Sequence, residues 1–179
     1  MRTTMRILVP ALALALACGC RGYEWKPKVD REMRTVSVPT FRNESKVTGL
    51  GDVVTRQVLR EIQREGTFRI APRDDAAVEI QAVVTADEPR GVAYDRRTGL
   101  RDREYRLAAS AKVSFIDRRT GRILADGRRY SAETTFLAHD DLSTGSRDAS
   151  GRLGEDLARQ IVDDLTAWNW ADERKGHRK

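Results

Sequence analysis

Three stretches of the chain alternate apolar and polar residues, which is the pattern of strands that bury one face. They cover residues 78–86, 105–116 and 123–135. The second and third stretches are separated by a short turn in which Gly121 is free to take a positive φ. They therefore predict a hairpin of two long antiparallel strands. A shorter alternation at Val36 and Val38, ended by Pro39, predicts an earlier strand.

Two other stretches carry apolar residues at helical spacing. The first covers residues 51–65, where Asp52 can cap the start and Gly66 can end the helix. Its apolar stripe consists of Val54, Val58 and Ile62. The second runs from about Arg147 to Trp168. Its apolar stripe consists of Leu153, Leu157, Ile161 and Leu165.

The predicted element order is β-α-β-β-β-α, which indicates an α+β domain over residues 35–170. We expect a two-layer sandwich in which two helices pack on one face of a four-stranded mixed sheet. If the first strand is parallel to residues 78–86, their crossover is right-handed. Residues 87–103 are interpreted as a loop or an extended hairpin tip, and residues 136–145 as a connection. Residues 171–179 are interpreted as a charged, disordered tail.

The N-terminal residues predict export and lipid anchoring. Arg2 and Arg6 precede an uncharged apolar run over residues 7–17, which is too short to span a bilayer. Small residues then lead to Cys20, as in a bacterial lipoprotein signal peptide. We expect a signal peptide over residues 1–19, a diacylated Cys20 and a tether over residues 20–34. Lipidation at Cys18 and an uncleaved hydrophobic anchor are the alternatives, and Arg21 in place of an aspartate favours the outer membrane.

Charge narrows the class of partner. The chain has a net charge of +6, and 34% of its residues are charged. On an exported lipoprotein this predicts an anionic partner such as lipid A phosphates, anionic lipid or an acidic protein surface, and argues against nucleic acid. The alternative is an ordinary solvated surface on which arginine takes the place of lysine and binds no particular partner.

The residues that could support catalysis are sparse. The chain has two histidines, and His139-Asp140-Asp141 is the one cluster with metal-ligand residue types. A zinc site needs three or four ligands, and no second histidine or cysteine stands near enough in the pattern to complete it. No G-x-S-x-G motif or phosphate-binding glycine loop is present. We therefore predict no catalytic residue, no metal and no cofactor.

Arginines in two predicted connections are better candidates for binding, because a guanidinium group matches a phosphate bidentately. If the three long strands are successive and antiparallel, the two connections lie at opposite ends of the hairpin. Solvated turns are the alternative interpretation. The first connection contains Arg90, Arg96, Arg97, Arg101 and Arg103, and the second contains Arg118, Arg119 and Arg122.

Several segments, in order along the chain, resemble the LptE family of lipopolysaccharide-assembly lipoproteins. The start is Gly19-Cys20-x-Gly22-Tyr23-x-Trp25, in which Arg21 is one residue more than the usual Cys-Gly-Tyr. The segment Arg34-Thr35-Val36-Ser37-Val38-Pro39-x-Phe41-x-Asn43 is similar to the family's first strand. The family's first helix end, second strand and central hairpin resemble residues 59–66, 75–84 and 104–124.

This resemblance implies two helices on a four-stranded sheet and a lipoprotein on the periplasmic side of the outer membrane. It also implies a plug in the outer-membrane β-barrel LptD that helps assemble the barrel and deliver lipopolysaccharide. Its partners would be LptD, lipopolysaccharide and the membrane that holds its lipid. A lipoprotein that activates a peptidoglycan synthase is the main rival, and a hydrolase-like enzyme is a third possibility. The resemblance implies lipopolysaccharide contacts at Arg96 or Arg97 and at His139. The arginines of the first connection add Arg90 and Arg101 as candidate contacts.

Overall fold

The computed structural model describes Val29 and residues 31–94, 103–138 and 142–168. These residues form an α+β fold, as predicted. The helices are α1 (Leu50–Glu65) and α2 (Leu142–Ala167), and a 3-10 turn covers Arg31–Met33. The strands are β1 (Thr35–Ser37), β2 (Arg42–Asn43), β3 (Arg69–Ile70), β4 (Val78–Ala86), β5 (Arg90–Tyr94), β6 (Arg103–Asp117) and β7 (Ile123–Ala138).

The sheet has seven strands within the described residues, so the prediction of four was wrong. The additional strands are β2, β3 and β5, of two, two and five residues. Strands this short contain too few positions to show a period of two, and they form because they add to the edges of longer strands. The four predicted strands correspond to β1, β4, β6 and β7.

Strand β6 organises the sheet. It pairs with β7 along one edge and with β4 along the other, antiparallel in both cases, from Val78↔Asp117 to Ala86↔Ala109 on the β4 side. The predicted hairpin is thus confirmed, and the two arginine-containing connections start from opposite ends of β6. Strands β1 and β2 both pair with β4 in parallel, and β3 pairs in parallel with β1.

Strand β5 continues the edge of β6 that β4 occupies. The amide of Asp87 donates to the carbonyl of Ala108 at 3.0 Å, and Arg90 then pairs with Arg106. Of the two predicted interpretations of residues 87–103, the described part therefore matches the extended hairpin. The pairing shifts register between Gly91 and Ala93, which leaves Val92 at a bulge.

Both helices begin differently from the prediction. Helix α1 starts at Leu50 after Gly49, which adopts φ 73°, so Asp52 lies in the first turn and is not the cap. Helix α2 starts at Leu142, earlier than the predicted Arg147, and β7 extends to Ala138 into the predicted connection. The first turn of α2 lacks an apolar period, which hid it from the pattern. The predicted end of α1 is confirmed: the amide of Gly66 donates to the carbonyl of Ile62 at 3.1 Å.

The core lies between the helices and one face of the sheet. The predicted apolar stripes of both helices are fully buried. On the sheet, Val78, Ile80, Leu107 and Phe115 are buried on the facing side. The helices approach closely at Gly154, where a Cβ would lie 3.1 Å from Cγ1 of Val53. The two-layer prediction is therefore confirmed.

Within the described ranges, neither helix covers the opposite face of the sheet, and this face is polar. Its exposed or half-buried residues include Gln81, Thr85, Ser110, Lys112, Ser114, Arg129 and Ser131. Among the helices of the described ranges, neither is sufficiently long and apolar to cross a membrane. The predicted signal peptide, Cys20 and the tail over 171–179 lie outside the described residues.

Candidate functional site

Of the sequence-predicted binding residues, Arg90 lies within the described part of the chain. Arg90 is exposed at the start of β5. Arg96, Arg97, Arg101 and His139 lie outside the described residues. The strands next to them do end together, because Tyr94 pairs with Arg103 and Arg103 pairs with Ala138. We call β5, residues 103–108 of β6 and residues 133–138 of β7 the arm.

The arm carries three arginines, Arg90, Arg103 and Arg106, and two glutamates, Glu104 and Glu133. Arg90 and Arg106 are direct register partners on adjacent strands, and cross-strand partners have Cβ atoms about 5 Å apart. Arg106 has a distant ion pair with Glu133 at 4.0 Å, and both side chains are more than half exposed. An exposed pair of this kind contributes little free energy, so the two guanidinium groups remain available to an anion.

Helix α2 holds the arm in place. The rings of Tyr105 and Phe136 stack with centroids 5.8 Å apart. A Cβ on Gly145 of α2 would lie 2.5 Å from the Phe136 ring, so only glycine lets the helix approach this closely. The Arg152 guanidinium donates to the carbonyl of Thr135 at 2.9 Å, and Gln160 donates to the carbonyl of Ser131 at 3.0 Å. The arm is thus fixed to the body by its β7 edge.

Aliphatic side chains are exposed beside the arm's arginines. Val92 is 44% exposed, Leu137 is 59% exposed and Leu142 is 45% exposed. They are three of the four large hydrophobic residues that are exposed within the described ranges, and Ile123 is the fourth. A surface that combines guanidinium groups with aliphatic side chains suits an amphiphile that carries anionic groups and acyl chains.

At the other end of β6, which we call the turn end, arginines cover buried carboxylates. Glu79 is 1% exposed. Its carboxylate accepts from Nε of Arg73 at 2.9 Å and from Gln81 at 2.7 Å, and Nε of Arg118 lies 3.4 Å away. Burial alone would raise the pKa of Glu79. The hydrogen bonds from Gln81 and Arg73 and the charges of Arg73 and Arg118 outweigh it, so the pKa is lowered.

The remaining turn contacts join this end to the incoming chain. Oδ1 of the buried Asp117 accepts from the amide of Arg119 at 2.9 Å, which closes the turn. The Arg119 guanidinium lies 3.4 Å from Glu32 and 3.7 Å from Sδ of Met33. The sequence placed Arg118 and Arg119 among candidate phosphate ligands or solvated turns. The structure shows them in ion pairs within the fold.

Sequence reasoning missed the buried roles of Glu79 and Asp117. Glu79 stands at a polar position of an alternating strand, which predicts exposure, and the residues that cover it come from two separate segments. A second polar cluster was also missed: the Tyr130 hydroxyl donates to Asp164, whose carboxylate lies 2.8 Å from Nε of Arg128. Burial and the hydrogen bond to Asp164 raise the pKa of Tyr130.

No group of three or more histidine, cysteine, aspartate or glutamate side chains suited to a metal occurs in the part of the chain that the structure describes. What this part does present is an amphipathic arm with exposed guanidinium groups. Residues 33–165 match the lipopolysaccharide-assembly family LptE. This match spans most of the chain.

The chain belongs to the LptE family.

Membership indicates a lipoprotein of lipopolysaccharide assembly in the cell envelope, from a family that is not enzymatic. The family resemblance seen in the sequence is therefore confirmed. No curated protein matches the sequence significantly.

Solved structures share the fold at low identity. A neuraminyllactose-binding hemagglutinin homologue from Helicobacter pylori is 11% identical with a TM-score of 0.52, over 87% of this chain and 96% of that one. Protein CT253 from Chlamydia trachomatis is 11% identical with a TM-score of 0.50, over 76% and 98%. A lipoprotein from Caulobacter crescentus is 18% identical with a TM-score of 0.48, over 72% and 89%. The first two support the α+β architecture of this LptE-family chain.

Proposed function

We propose that this protein is an outer-membrane lipoprotein, anchored on the periplasmic side, that plugs the β-barrel LptD. In this role it helps the barrel assemble and assists delivery of lipopolysaccharide to the cell surface. The observation that carries the proposal is the LptE-family match over residues 33–165. The amphipathic arm, with Arg90 and Arg106 beside exposed aliphatic side chains, supports it.

The polarity of the domain fits a plug that is anchored at one end. Val29 is buried and its carbonyl accepts from Nε of Arg34 at 3.2 Å, so the incoming chain joins the domain at the turn end. Val29 follows Cys20 by nine positions, which allows a reach of about 30 Å. The arm begins at Ala108, about 30 Å from Asp117 along β6, and its tip at Arg103 lies about 47 Å away. A lipid on Cys20 would hold the turn end near the bilayer and leave the arm free to enter a barrel lumen.

One proposed lipopolysaccharide contact, Arg90, lies on the arm, and the others are close to the arm's strands in sequence. Arg90 starts β5, and Arg96, Arg97 and Arg101 follow in the segment that joins β5 to β6. Their guanidinium groups would bind the phosphates of lipid A, while Val92, Leu137 and Leu142 would contact acyl chains. His139 belongs to the short segment between β7 and α2 and is the fifth proposed contact.

A pull-down tests the partner directly. The protein, tagged after Lys179, is extracted from membranes in detergent, and the bound proteins are identified by mass spectrometry. We expect a stoichiometric outer-membrane β-barrel of the LptD type. Recovery of a cell-wall synthase, or of no barrel, would contradict the role in lipopolysaccharide export.

The anchor is tested by two matched substitutions. Cys20→Ala should abolish lipid labelling with radioactive palmitate, whereas Cys18→Ala should leave it intact. The opposite result would move the lipid to Cys18 and shorten the signal peptide. Labelling of both variants, or of neither, would contradict a single acylated cysteine at either position.

A further inference from the structure

A row of basic residues crosses the middle of the open sheet face, away from the arm. The pairing of four strands aligns Arg42 of β2 with Val83 of β4, Val83 with Lys112 of β6, and Lys112 with Arg129 of β7. Arg42, Lys112 and Arg129 are exposed. Arg42 forms an exposed ion pair with Glu44 at 3.0 Å. Lys112 and Arg129 have no acidic partner within the described residues.

The pairing of Lys112 with Arg129 does not serve stability. Residues directly opposite on antiparallel strands have Cβ atoms about 5 Å apart, and like charges at such positions destabilise a sheet. Charges from the helices do not compensate, since both helices pack on the other face. Proteins break such rules of stability mainly at functional sites, and two unpaired like charges point to a ligand of opposite charge.

A glycine bulge positions the lysine. The register of β6 and β7 shifts between Val113 and Phe115, and Gly127 of the bulge adopts φ 59°. A Cβ at Gly127 would lie 2.6 Å from Cε and 3.5 Å from Nζ of Lys112. The lysine side chain therefore runs across the glycine toward β7, the strand that carries Arg129. Any side chain at position 127 would displace it.

Hydroxyl groups flank the two cations. On one side, the hydroxyls of Ser110 and Ser131 lie 3.1 Å apart across β6 and β7. On the other side, the Ser114 hydroxyl accepts from the amide of Gly127 at 3.1 Å and donates to Asp126 at 2.8 Å. Asp126 is the acidic residue at the rim. A depression of about 400 Å³ adjoins Lys112 on the side of β2, where it is lined by Arg42, Gln81, Ser114 and Asp126 among others and does not reach Arg129.

We propose that these side chains form a binding site for a phosphate monoester, which we call the sheet-face site: Arg42, Ser110, Lys112, Arg129 and Ser131. A phosphate monoester carries close to two negative charges and three acceptor oxygens. It therefore matches two adjacent cations, together with the hydroxyl hydrogen that the pair of Ser110 and Ser131 does not use, better than a carboxylate does. The site goes beyond the role proposed above, because it needs neither LptD nor the arm. The phosphate can belong to a soluble compound or to a lipid headgroup.

The test uses the full lipidated protein in dodecyl maltoside micelles. A first calorimetric titration uses glucose 6-phosphate. A second uses dihexanoyl phosphatidic acid, with dihexanoyl phosphatidylcholine as the comparison. Lys112→Gln and Arg129→Gln should each weaken binding about tenfold, and Lys112→Arg should restore most of it. The matched control is Arg60→Gln on the exposed side of α1, which removes the same charge and should leave the affinity unchanged.

The melting temperature in phosphate-free buffer gives a second readout. Lys112→Gln relieves the repulsion from Arg129, so the melting temperature should rise slightly. The same substitution should lower the affinity for phosphate. Binding of glucose 6-phosphate supports a soluble ligand, and binding of phosphatidic acid alone supports a headgroup. The proposal is overturned if neither probe binds at millimolar concentration, or if Arg60→Gln weakens binding as much as Lys112→Gln. Failure of LptD capture would not affect any of these results.

Discussion

At the turn end of the sheet, arginine side chains cover buried carboxylates, whereas at the arm they face water beside exposed aliphatic side chains. Glu79 accepts from Arg73 and is approached by Arg118, and its carboxylate is nearly inaccessible. Glu133 on the arm comes no closer than 4.0 Å to the guanidinium group of Arg106, and both side chains remain exposed. The same pair of residue types thus has two uses. Its surroundings decide whether it stabilises the fold or is available to a ligand.

The largest expected effect follows from Glu79→Gln. The substitution leaves Arg73 and Arg118 without their carboxylate and should lower the free energy of unfolding by about 3 kcal/mol. The loss should not be larger, because both arginine side chains are partly exposed to water. Glu133→Gln, the matched change on the arm, should cost less than about 0.5 kcal/mol. Urea unfolding followed by circular dichroism measures both. Equal losses would erase the distinction between the two ends.

Gly145→Ala should cause the next largest loss of unfolding free energy. The new methyl group meets the Phe136 ring and the carbonyl of Leu137, an overpacking cost of about 3 kcal/mol. The higher helix propensity of alanine returns about 1 kcal/mol, so a net loss of about 2 kcal/mol is expected. Gly151→Ala in the same helix meets no atom within 4 Å and should stabilise by up to about 1 kcal/mol. Thermal unfolding compares the two, and stabilisation by both would show that α2 does not press on the arm.

Charge reversal next to the arm should change binding and not folding. The double substitution Arg96→Glu and Arg97→Glu is expected to weaken lipopolysaccharide affinity about tenfold, or about 1.4 kcal/mol, by replacing attraction to phosphate with repulsion. Arg56→Glu with Arg60→Glu on α1 carries the same charge change at a distance and serves as the control. Surface plasmon resonance on immobilised lipopolysaccharide reports both. Unchanged affinity in the first variant would exclude these arginines from the site.

Lowering the pH should have a smaller effect, a loss of unfolding free energy that comes from the turn end. The pKa of Glu79 is lowered from its ordinary value of 4.5, so its ion pairs contribute full stability above pH 4.5. That contribution is lost as the pH falls through the lowered pKa of the folded state. The wild-type protein should therefore lose more unfolding free energy below pH 4.5 than Glu79→Gln does. A constant gap between them down to pH 2 would contradict the ionic role of Glu79.

The elements with a sustained period were predictable from the sequence, and those that depend on neighbours were not. The alternation along β6 and β7 is long enough to indicate a hairpin, and the stripe from Leu153 to Leu165 is long enough to indicate a helix. Strands β2 and β3 have two residues each and exist only through pairing with β4 and β1. The first turn of α2 follows from the fit of Gly145 against Phe136, which is a tertiary contact.

The candidate sites divide in the same way. The sequence identified Arg90 and its neighbours as a basic group, but the pairing of Arg90 with Arg106 required the register of β5. The pairing of Lys112 with Arg129 depends on the bulge at Gly127, because its extra residue sets the register of β7 from there on. A shift of one residue would place Arg129 on the opposite face of the sheet. Residue types can be read from a sequence, whereas partners across strands cannot.

The side chains that α2 places along β7 have a consequence for self-association. A sixteen-residue edge strand would ordinarily be a template for β-augmentation and, at high protein concentration, for polymerisation. Arg152 and Gln160 occupy the outward carbonyls of Thr135 and Ser131, which an added strand would need. The helix therefore blocks two of the positions at which a further copy of the protein could add a strand to β7.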